Sequence, residues 1–600
     1  MKRKHILLLA IASFFSNNNL WSQTNVIINP TVTYQTIHGF GASDAWNADF
    51  VGKYWNNSVK SDIAKKLFSK NFLSNGNPEG IGLSRWRFNI GAGSAEQGTA
   101  SNIEMAERRA ECFLNEDGSY NWNKQSGQQW FLTQAKTYGV ENLVAFVNSP
   151  PRFFTKNGRA NSDNTNRYGN TNLKDDAYDE YAKFLAAVLN NFKRKGIPFS
   201  QISPINEPQY EWNEGQEGCP WLNTEISRLA KELSKTLVDS GLDTKILLSE
   251  AASFKDLYSD NGNADKANQI WKFFSSSRTE YIGNLSNMLY GLGGHSYWTD
   301  GDDATIRSVR QDLYNKSVQY GKIELYQTEY NLLSKSFSDY LTNAVFLAKI
   351  MYADLAIANV SVWDYWTAME RERWSQLNRF YLIRLMPSGG DYADLTTGGT
   401  VVHNKNLWAL GNYSLFIRPG FKRIMTSGAD NLAGLMCSSY ISPDSLRIVS
   451  VYVNISNEDI AVNHKFENIF HELELNKITP YITNSTNNLT VKSAIPTNSA
   501  YTIPAMSVVT LVADFQKKNT NIDQNQLDNL KVYPNSTTGI VNIQLNANQL
   551  RAELILMDVS GKKMIQTIVN TENHILDISS KPAGIYFLQL NNEKIKIVKQ

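Results

Sequence analysis

The chain has 600 residues, of which 42% are hydrophobic, 19% charged and 12% aromatic; this is the make-up of a folded protein of two or three domains and excludes a disordered or collagen-like one. Lys and Arg number 59 against 57 Asp and Glu, a formal net charge of +2, so no global field draws the chain to nucleic acid or to an anionic membrane. Cys112, Cys219 and Cys437 allow one bridge at most, and seven histidines with no HExxH spacing imply neither a metal nor another cofactor. The 14 Trp and 28 Tyr serve either a large core or surfaces on which sugars stack.

In chain order, residues 1–22 start with a basic cluster (Met1 to His5), run apolar from Ile6 to Phe15 and reach a small residue at Ser22. This is the pattern of a secretory signal peptide, and the apolar run is too short to span a bilayer. No other segment approaches 18 apolar residues, so no transmembrane segment is expected. Residues 23–35 read as a single strand. β-rich runs then recur at Thr36–Gly41, Gly82–Ile90, Asn142–Asn148, Ile202–Asn206, Lys245–Glu250, Tyr290–Ser296, Glu324–Glu329 and Val360–Trp366. Between them lie helical periods such as Asp176–Arg194, Thr224–Ser240, Ala264–Phe274, Thr305–Tyr320 and Ser338–Ala358. Eight such units predict an α/β fold, a (β/α)8 barrel over residues 36–420. Residues 421–515 alternate as strands without helices and predict a side β-sandwich, to which the 23–35 strand is expected to add. Residues 516–527 read as a polar linker, and 528–600 as a small β-sandwich of six or seven strands.

In a barrel, chemistry sits at the C-terminal ends of the strands. Two glutamates stand there: Glu207, in Ser203-Pro-Ile-Asn-Glu-Pro208 at the end of the fourth strand, and Glu329, in Tyr326-Gln-Thr-Glu-Tyr330 at the end of the seventh. A glycosidic bond is cleaved by two carboxyl groups, one protonating the leaving oxygen and one attacking, about 5 Å apart when configuration is retained. A lone strand-end glutamate is more often a salt-bridged structural residue; two on these strands, with aromatic neighbours, favour chemistry. Glu250, which ends the fifth strand, reads as structural because Ala251, Ala252 and Ser253 beside it offer no substrate contacts. Asp300, Asp302 and Asp303 read as a solvated turn, and Asp364 as a buried partner.

His38-Gly-Phe-Gly-Ala, Arg85-Trp-Arg-Phe-Asn-Ile-Gly91, Asn148-Ser-Pro-Pro151, the Glu207 and Glu329 motifs, His295-Ser-Tyr297 and Asn412-Tyr-Ser with Arg418-Pro-Gly420 together resemble glycoside hydrolase family 30 from about Asn25 to Asp514. The resemblance implies a retaining barrel with a side sandwich. It maps the acid/base onto Glu207 and the nucleophile onto Glu329. It also implies that Asn206 holds the sugar 2-hydroxyl and that Arg87, Asn148, His295 and Tyr297 line the catalytic subsite. At the other end, the Tyr533-Pro-Asn-Ser-Thr-Thr-Gly539 block, with Gly561, Pro582-Ala-Gly584 and the basic terminus, resembles the C-terminal sorting domain of the type IX secretion system of Bacteroidetes. Ser536 stands where that family usually has proline. This resemblance implies the secretion machinery as a partner and a secreted or outer-membrane-surface location.

Two further expectations concern mechanism and substrate. Glu329 should lie near Arg87 or Tyr297, which keep it charged, while Glu207 should occupy a less polar pocket. Trp46, Trp212, Trp298 and Trp366 fall at the predicted mouth and are the candidate sugar-stacking residues; Trp221 and Trp363 fall there too. The segment from Gln209 to Trp221 resembles the endo-β-1,6-galactanase branch of family 30, and no basic cluster marks a uronate pocket. The expected function is therefore a monomeric, secreted, retaining endo-β-glycosidase acting on a polysaccharide, best matched by β-1,6-galactan. A β-1,6-glucanase, a xylanase or an inactive glycan-binding surface protein are the alternatives.

Overall fold

The structure is a computed structural model that describes residues 23–163, 169–333, 335, 337, 339–372, 381–496, 499–518, 530–545, 549–591 and 593–600. The expected signal peptide and residues 519–527 of the expected linker lie outside the described residues. The chain divides into two compact units at residue 516.

In the first unit, β1 (Thr24–Thr36) leads into eight strands: β2 (Gly39–Ser43), β3 (Arg85–Ile90), β4 (Asn142–Val147), β5 (Gln201–Ser203), β6 (Lys245–Ala251), β7 (Met288–His295), β8 (Glu324–Tyr330) and β9 (Val362–Tyr365). They close into a parallel barrel in chain order. β3 is buried along its whole length and β4 along all but its first residue, because helices cover the outside of a parallel barrel and side chains fill the inside. The helix Tyr178–Arg194 shows how the cover is coded: Tyr181, Leu185, Val188 and Phe192 form one buried stripe at helical spacing. Of the expected helix over residues 264–274, only Gln269–Phe274 is helical. Helices at Asn47–Tyr54, Asn57–Phe68, Ser126–Thr137 and Lys405–Ser414 had no counterpart in the sequence reading.

Along the barrel axis the interior changes character. Leu247, Tyr326 and Val362 form an apolar floor. One layer toward the C-terminal ends, buried Arg85 pairs with Asp364 at 3.1 Å and donates to Gln201. Asp364 is thus the buried partner expected, and Gly41 of β2 is there because a Cβ would collide with both Asp364 and Arg85. The top layer holds the candidate site.

After β9, a three-stranded sheet of β10 (Met369–Arg371), β11 (Ile383–Pro387) and β12 (Gly399–His403) interrupts the expected barrel segment. Then follow β13 (Lys422–Ser427), β14 (Leu435–Ile441), β15 (Arg447–Asn454), β16 (Ile460–Phe466), β17 (Leu473–Thr483), β18 (Thr490–Val491), β19 (Tyr501–Ile503) and β20 (Ser507–Lys517). With β1 they form one nine-stranded sheet, in the order β18-β17-β20-β15-β14-β13-β1-β16-β19; β1 pairs antiparallel with β13 and parallel with β16, so this side sheet holds the chain entering the barrel and the chain leaving it. One face of these strands forms a core of its own around Ile28, Tyr452 and Leu511, while Tyr440, Val451 and Val508 join the barrel core.

The second unit contains β21 (Leu530–Tyr533), β22 (Ser536–Thr537), β23 (Ile540–Leu545), β24 (Glu553–Asp558), β25 (Lys563–Ile568), β26 (Asn573–Asp577), β27 (Gly584–Leu590) and β28 (Glu593–Lys599). They form sheets of three and five strands over a core that includes Val541, Leu556 and Leu588. All three cysteines are buried and free, so the one possible bridge does not form. Among the described residues no helix is long and apolar enough to cross a membrane.

Candidate active site

Glu207 lies just beyond β5 with φ at +42°, a left-handed conformation that costs a side-chain-bearing residue about 1–2 kcal/mol. Its surroundings enforce it. The Glu207 N–H donates to the Glu250 carbonyl at 2.8 Å, and its own carbonyl accepts from the Tyr210 N–H at 3.1 Å and from Trp212 Nε1 at 2.9 Å. The Pro208 carbonyl accepts from buried Lys266 and from the Trp221 N–H.

Glu329 reaches the same mouth by a different route. The pairing of β7 with β8 shifts register between Gly294 and His295, and that of β8 with β9 between Gln327 and Tyr330. Consecutive strand residues normally face opposite sides. Here the irregularity lets Thr328 donate to Glu250 while Glu329 meets Arg87 at 2.7 Å and accepts from the Tyr297 hydroxyl at 3.3 Å. Irregular pairing that re-aims a side chain is a recurrent device beside active sites.

One carboxylate oxygen of Glu207 and one of Glu329 lie within 4.8 Å of each other, close to the retaining separation and short of the about 6.5–9.5 Å of inverting pairs. His295 bridges the cluster: Nδ1 is 2.8 Å from Glu207, and Nε2 is 3.3 Å from Glu250. Burial works against a charged imidazole, but the carboxylates of Glu329, Glu207 and Glu250 outweigh it and raise the His295 pKa to about 9. Burial raises the Glu207 pKa above its ordinary value, with Glu329 adding to this and His295 and Arg87 opposing it. Burial also acts on Glu250, yet Arg87, His295 and Thr328 hold its pKa down at about 2.

Glu207, His295 and Glu329 could in principle gather a metal ion. The donor set is already engaged within the protein: both His295 ring nitrogens face carboxylates, Glu207 at 2.8 Å and Glu250 at 3.3 Å, and the Arg87 guanidinium occupies Glu329.

The remaining expected residues fall as follows. Asn206 accepts from Arg87 at 3.3 Å. Asn148 is buried with neither side-chain atom partnered among the described residues, and the same holds for Trp46 Nε1. Trp46 and Trp366 meet edge to face, and with Phe146, which lies under the Arg87 guanidinium, they form one wall. Trp212 departs from its expected stacking role. It is 6% exposed, its ring packs on Gly218 where any Cβ would collide, and its N–H is spent on the Glu207 carbonyl. Trp221 and Trp363 are core residues. Trp298 is 49% exposed.

Two corrections concern carboxylates. Glu250 is a full member of the site cluster through Arg87, His295 and Thr328, although its sequence neighbours gave no sign of it. The three aspartates read as a solvated turn have separate tasks: Asp300 is buried and accepts from Tyr330, Asp302 caps the helix Asp303–Gln319, and Asp303 pairs with Lys349. Glu217, not singled out from the sequence, is buried and accepts from the Ala92 and Ser94 N–H groups and the Ser94 hydroxyl. It ties the loop carrying Trp212 to the loop after β3.

Residues 23–377 match the family described as O-Glycosyl hydrolase family 30. The chain belongs to this family. A conserved exported protein from Bacteroides fragilis is 32% identical, with a TM-score of 0.75 over 81% of this chain and 100% of that one. An endo-β-1,6-galactanase of Hypocrea rufa is 26% identical over 62% of this chain and 73% of its own length. A glucuronoxylanase of Bacillus subtilis (strain 168) is 24% identical over 58% and 70%. Residues 531–600 match the secretion system C-terminal sorting domain, so this family 30 protein is marked for export, into the medium or to the cell surface.

Proposed function

We propose that the protein is a retaining endo-β-glycosidase in which Glu207 is the acid/base and Glu329 the nucleophile, and that its substrate is β-1,6-linked galactan. The pairing of Glu207 and Glu329 within 4.8 Å, with a cation on Glu329 and a raised pKa on Glu207, carries the mechanistic part. A Glu329 oxygen attacks the anomeric carbon as the bond to the glycosidic oxygen breaks, and Glu207 gives its proton to that oxygen. Water then attacks the anomeric carbon of the glycosyl-enzyme, Glu207 takes the water's proton, and Glu329 leaves as carboxylate. Asn206, steered by Arg87, suits the sugar 2-hydroxyl, where hydrogen bonds strengthen as charge develops. Asn148 and Trp46 offer buried polar atoms to the same ring, and Trp366 walls it.

The galactan reading rests on the similarity to the Hypocrea rufa enzyme. Xylan is the second reading, favoured by the Bacillus subtilis relative. The test is incubation of the protein and its Glu207→Gln and Glu329→Gln variants with β-1,6-galactan, β-1,6-glucan and glucuronoxylan, with products sized by chromatography. Short oligosaccharides from galactan alone, absent in both variants, support the whole reading. Cleavage of another polymer, lost in the same variants, replaces the substrate and keeps the mechanism; activity surviving in Glu329→Gln overturns the pair.

A further inference from the structure

Glu217 is a fully buried carboxylate outside the catalytic cluster, on the loop that runs from β5 to the helix Asn223–Asp239. It accepts three hydrogen bonds: from the Ala92 N–H at 3.0 Å, the Ser94 N–H at 3.1 Å and the Ser94 hydroxyl at 2.6 Å. All three donors belong to the loop after β3, and Gly93 between them, at φ +99°, makes the turn that brings both N–H groups to one carboxylate. In the barrel β4 separates β3 from β5, so this one side chain joins two loops that strand pairing leaves apart. Burial raises its pKa against the pull of these donors. A carboxylate here thus carries a desolvation cost that an apolar side chain would avoid, and what it adds to the fold is a fixed position.

Each end of this tie leads to the catalytic site. On the β3 side, the Ser94 hydroxyl that donates to Glu217 accepts from the Ala110 N–H at 2.9 Å, and the Ala95 N–H donates to the Ala110 carbonyl at 3.0 Å. Ala110 packs with Trp46, Phe146 and Trp366. On the β5 side, the next residue is Gly218, where a Cβ would lie 2.3 Å from the Trp212 ring. The Trp212 indole N–H in turn donates to the carbonyl of Glu207 at 2.9 Å. The backbone of this loop is held as well: the Ser162 N–H donates to the Trp212 carbonyl at 2.7 Å, and the Gly218 N–H to that of Ala160 at 2.9 Å. Glu217 therefore stands where the brace of Glu207 meets the wall of Trp46 and Trp366.

We infer that Glu217 is a positioning residue for proton transfer: through Gly218 and Trp212 it sets where Glu207 stands relative to the wall of Trp46 and Trp366. The inference rests on Glu207 being the acid. Glu207 holds a left-handed backbone conformation, φ +42°, of the kind that persists only where its surroundings enforce it, and the carbonyl to which Trp212 donates belongs to that same residue. Without the three bonds to Glu217, the Trp212 loop is free to shift against the loop after β3, and the Glu207 carboxyl moves off the glycosidic oxygen. A misplaced acid slows a step that needs its proton and leaves alone one that does not.

The test compares two substrates that share a glycone: a β-1,6-galacto-oligosaccharide, whose leaving alkoxide needs a proton, and the dinitrophenyl β-glycoside of the same glycone, whose leaving phenolate does not. Glu207→Gln, measured alongside, gives the signature of a lost acid: kcat/KM collapses on the oligosaccharide and barely changes on the dinitrophenyl substrate. Glu217→Gln keeps the size of the side chain but sets an amide NH2 among the donors of the β3 loop, so kcat/KM on the oligosaccharide should fall about tenfold while that on the dinitrophenyl substrate stays within about twofold. Ser94→Ala, which removes one donor, should show the same split at about threefold, and it decides the matter where Glu217→Gln does not fold. Because the effect runs through Trp212, Glu217→Gln combined with Trp212→Phe should lose no more than the larger of the two single losses. Equal losses on both substrates, no loss on the oligosaccharide, or fully additive losses in the double variant overturn the inference. A split in Glu207→Gln without one in Glu217→Gln overturns it alone; equal losses in Glu207→Gln itself overturn the acid assignment and the inference with it. If the wild type cleaves only β-1,6-gluco-substrates, the galactan reading falls and the same comparison on glucosyl substrates decides the role of Glu217.

Discussion

His295 Nδ1 lies 2.8 Å from a Glu207 oxygen, and the imidazole between Glu207 and Glu250 is held protonated up to about pH 9. The charge beside Glu207 pulls its pKa down against the rise imposed by burial. On the proposed assignment of Glu207 as the acid, kcat/KM falls as pH rises through the Glu207 pKa. In His295→Gln the downward pull disappears, so the alkaline limb should move to higher pH while kcat falls tenfold or more. A pH–rate profile checks this; a limb that stays put or moves down refutes it.

Arg87 is fully buried and faces two carboxylates, Glu250 at 3.3 Å and Glu329 at 2.7 Å. Removing one partner of a buried ion pair leaves an uncompensated charge and costs about 3–5 kcal/mol. Arg87→Met should therefore lower the denaturant midpoint strongly. Arg87→Lys keeps the charge without the fork that also reaches Asn206, and should preserve most stability while lowering kcat at least tenfold. Equal unfolding midpoints for wild type and Arg87→Met would show that the cation does not offset these charges.

Glu250 has a folded pKa of about 2 against an ordinary value of 4.5. A carboxylate with a depressed folded pKa contributes stability that is fully present above the unfolded pKa and lost as pH falls through the folded one. The difference corresponds to about 3 kcal/mol, lost between about pH 4.5 and pH 2. Glu250→Gln should be less stable than wild type at pH 6, and the gap should narrow on acidification. Thermal unfolding of the two proteins at pH 6 and pH 3 measures it; a constant gap would place the acid sensitivity elsewhere.

The barrel was legible because its strands are continuous apolar runs, as in Asn142–Val147, separated by helices with a buried stripe. That Glu207 and Glu329 meet at the barrel mouth was legible because Glu207 follows β5 and Glu329 lies at the end of β8, each beside distinctive neighbours. Glu250 was not, because its role comes from the partners Arg87, His295 and Thr328 on three other strands, and sequence proximity carries no trace of them. Trp212 misled for a related reason. Nothing in its local sequence distinguishes a ring offered to a sugar from one packed on Gly218 with its N–H committed to a backbone carbonyl. The helix Asn57–Phe68 was missed because its buried residues, Ile63, Ala64, Leu67 and Phe68, crowd into its second half, which leaves no full-length stripe to read.

The Trp212 indole N–H is a donor to the carbonyl of Glu207, a residue held at positive φ. Replacing Trp212 with Phe keeps an aromatic ring over Gly218 and removes that donor. A neutral hydrogen bond contributes about 0.5–1.5 kcal/mol. If this one holds the acid in its productive position, kcat should fall between about twofold and tenfold with KM little changed. A ring that stacked on sugar would give the opposite split, with KM rising and kcat preserved. Steady-state kinetics of Trp212→Phe beside Trp298→Phe therefore separates the two roles: a change in KM for Trp212→Phe would return it to the substrate-facing surface, and a change confined to kcat leaves it as the brace behind Glu207.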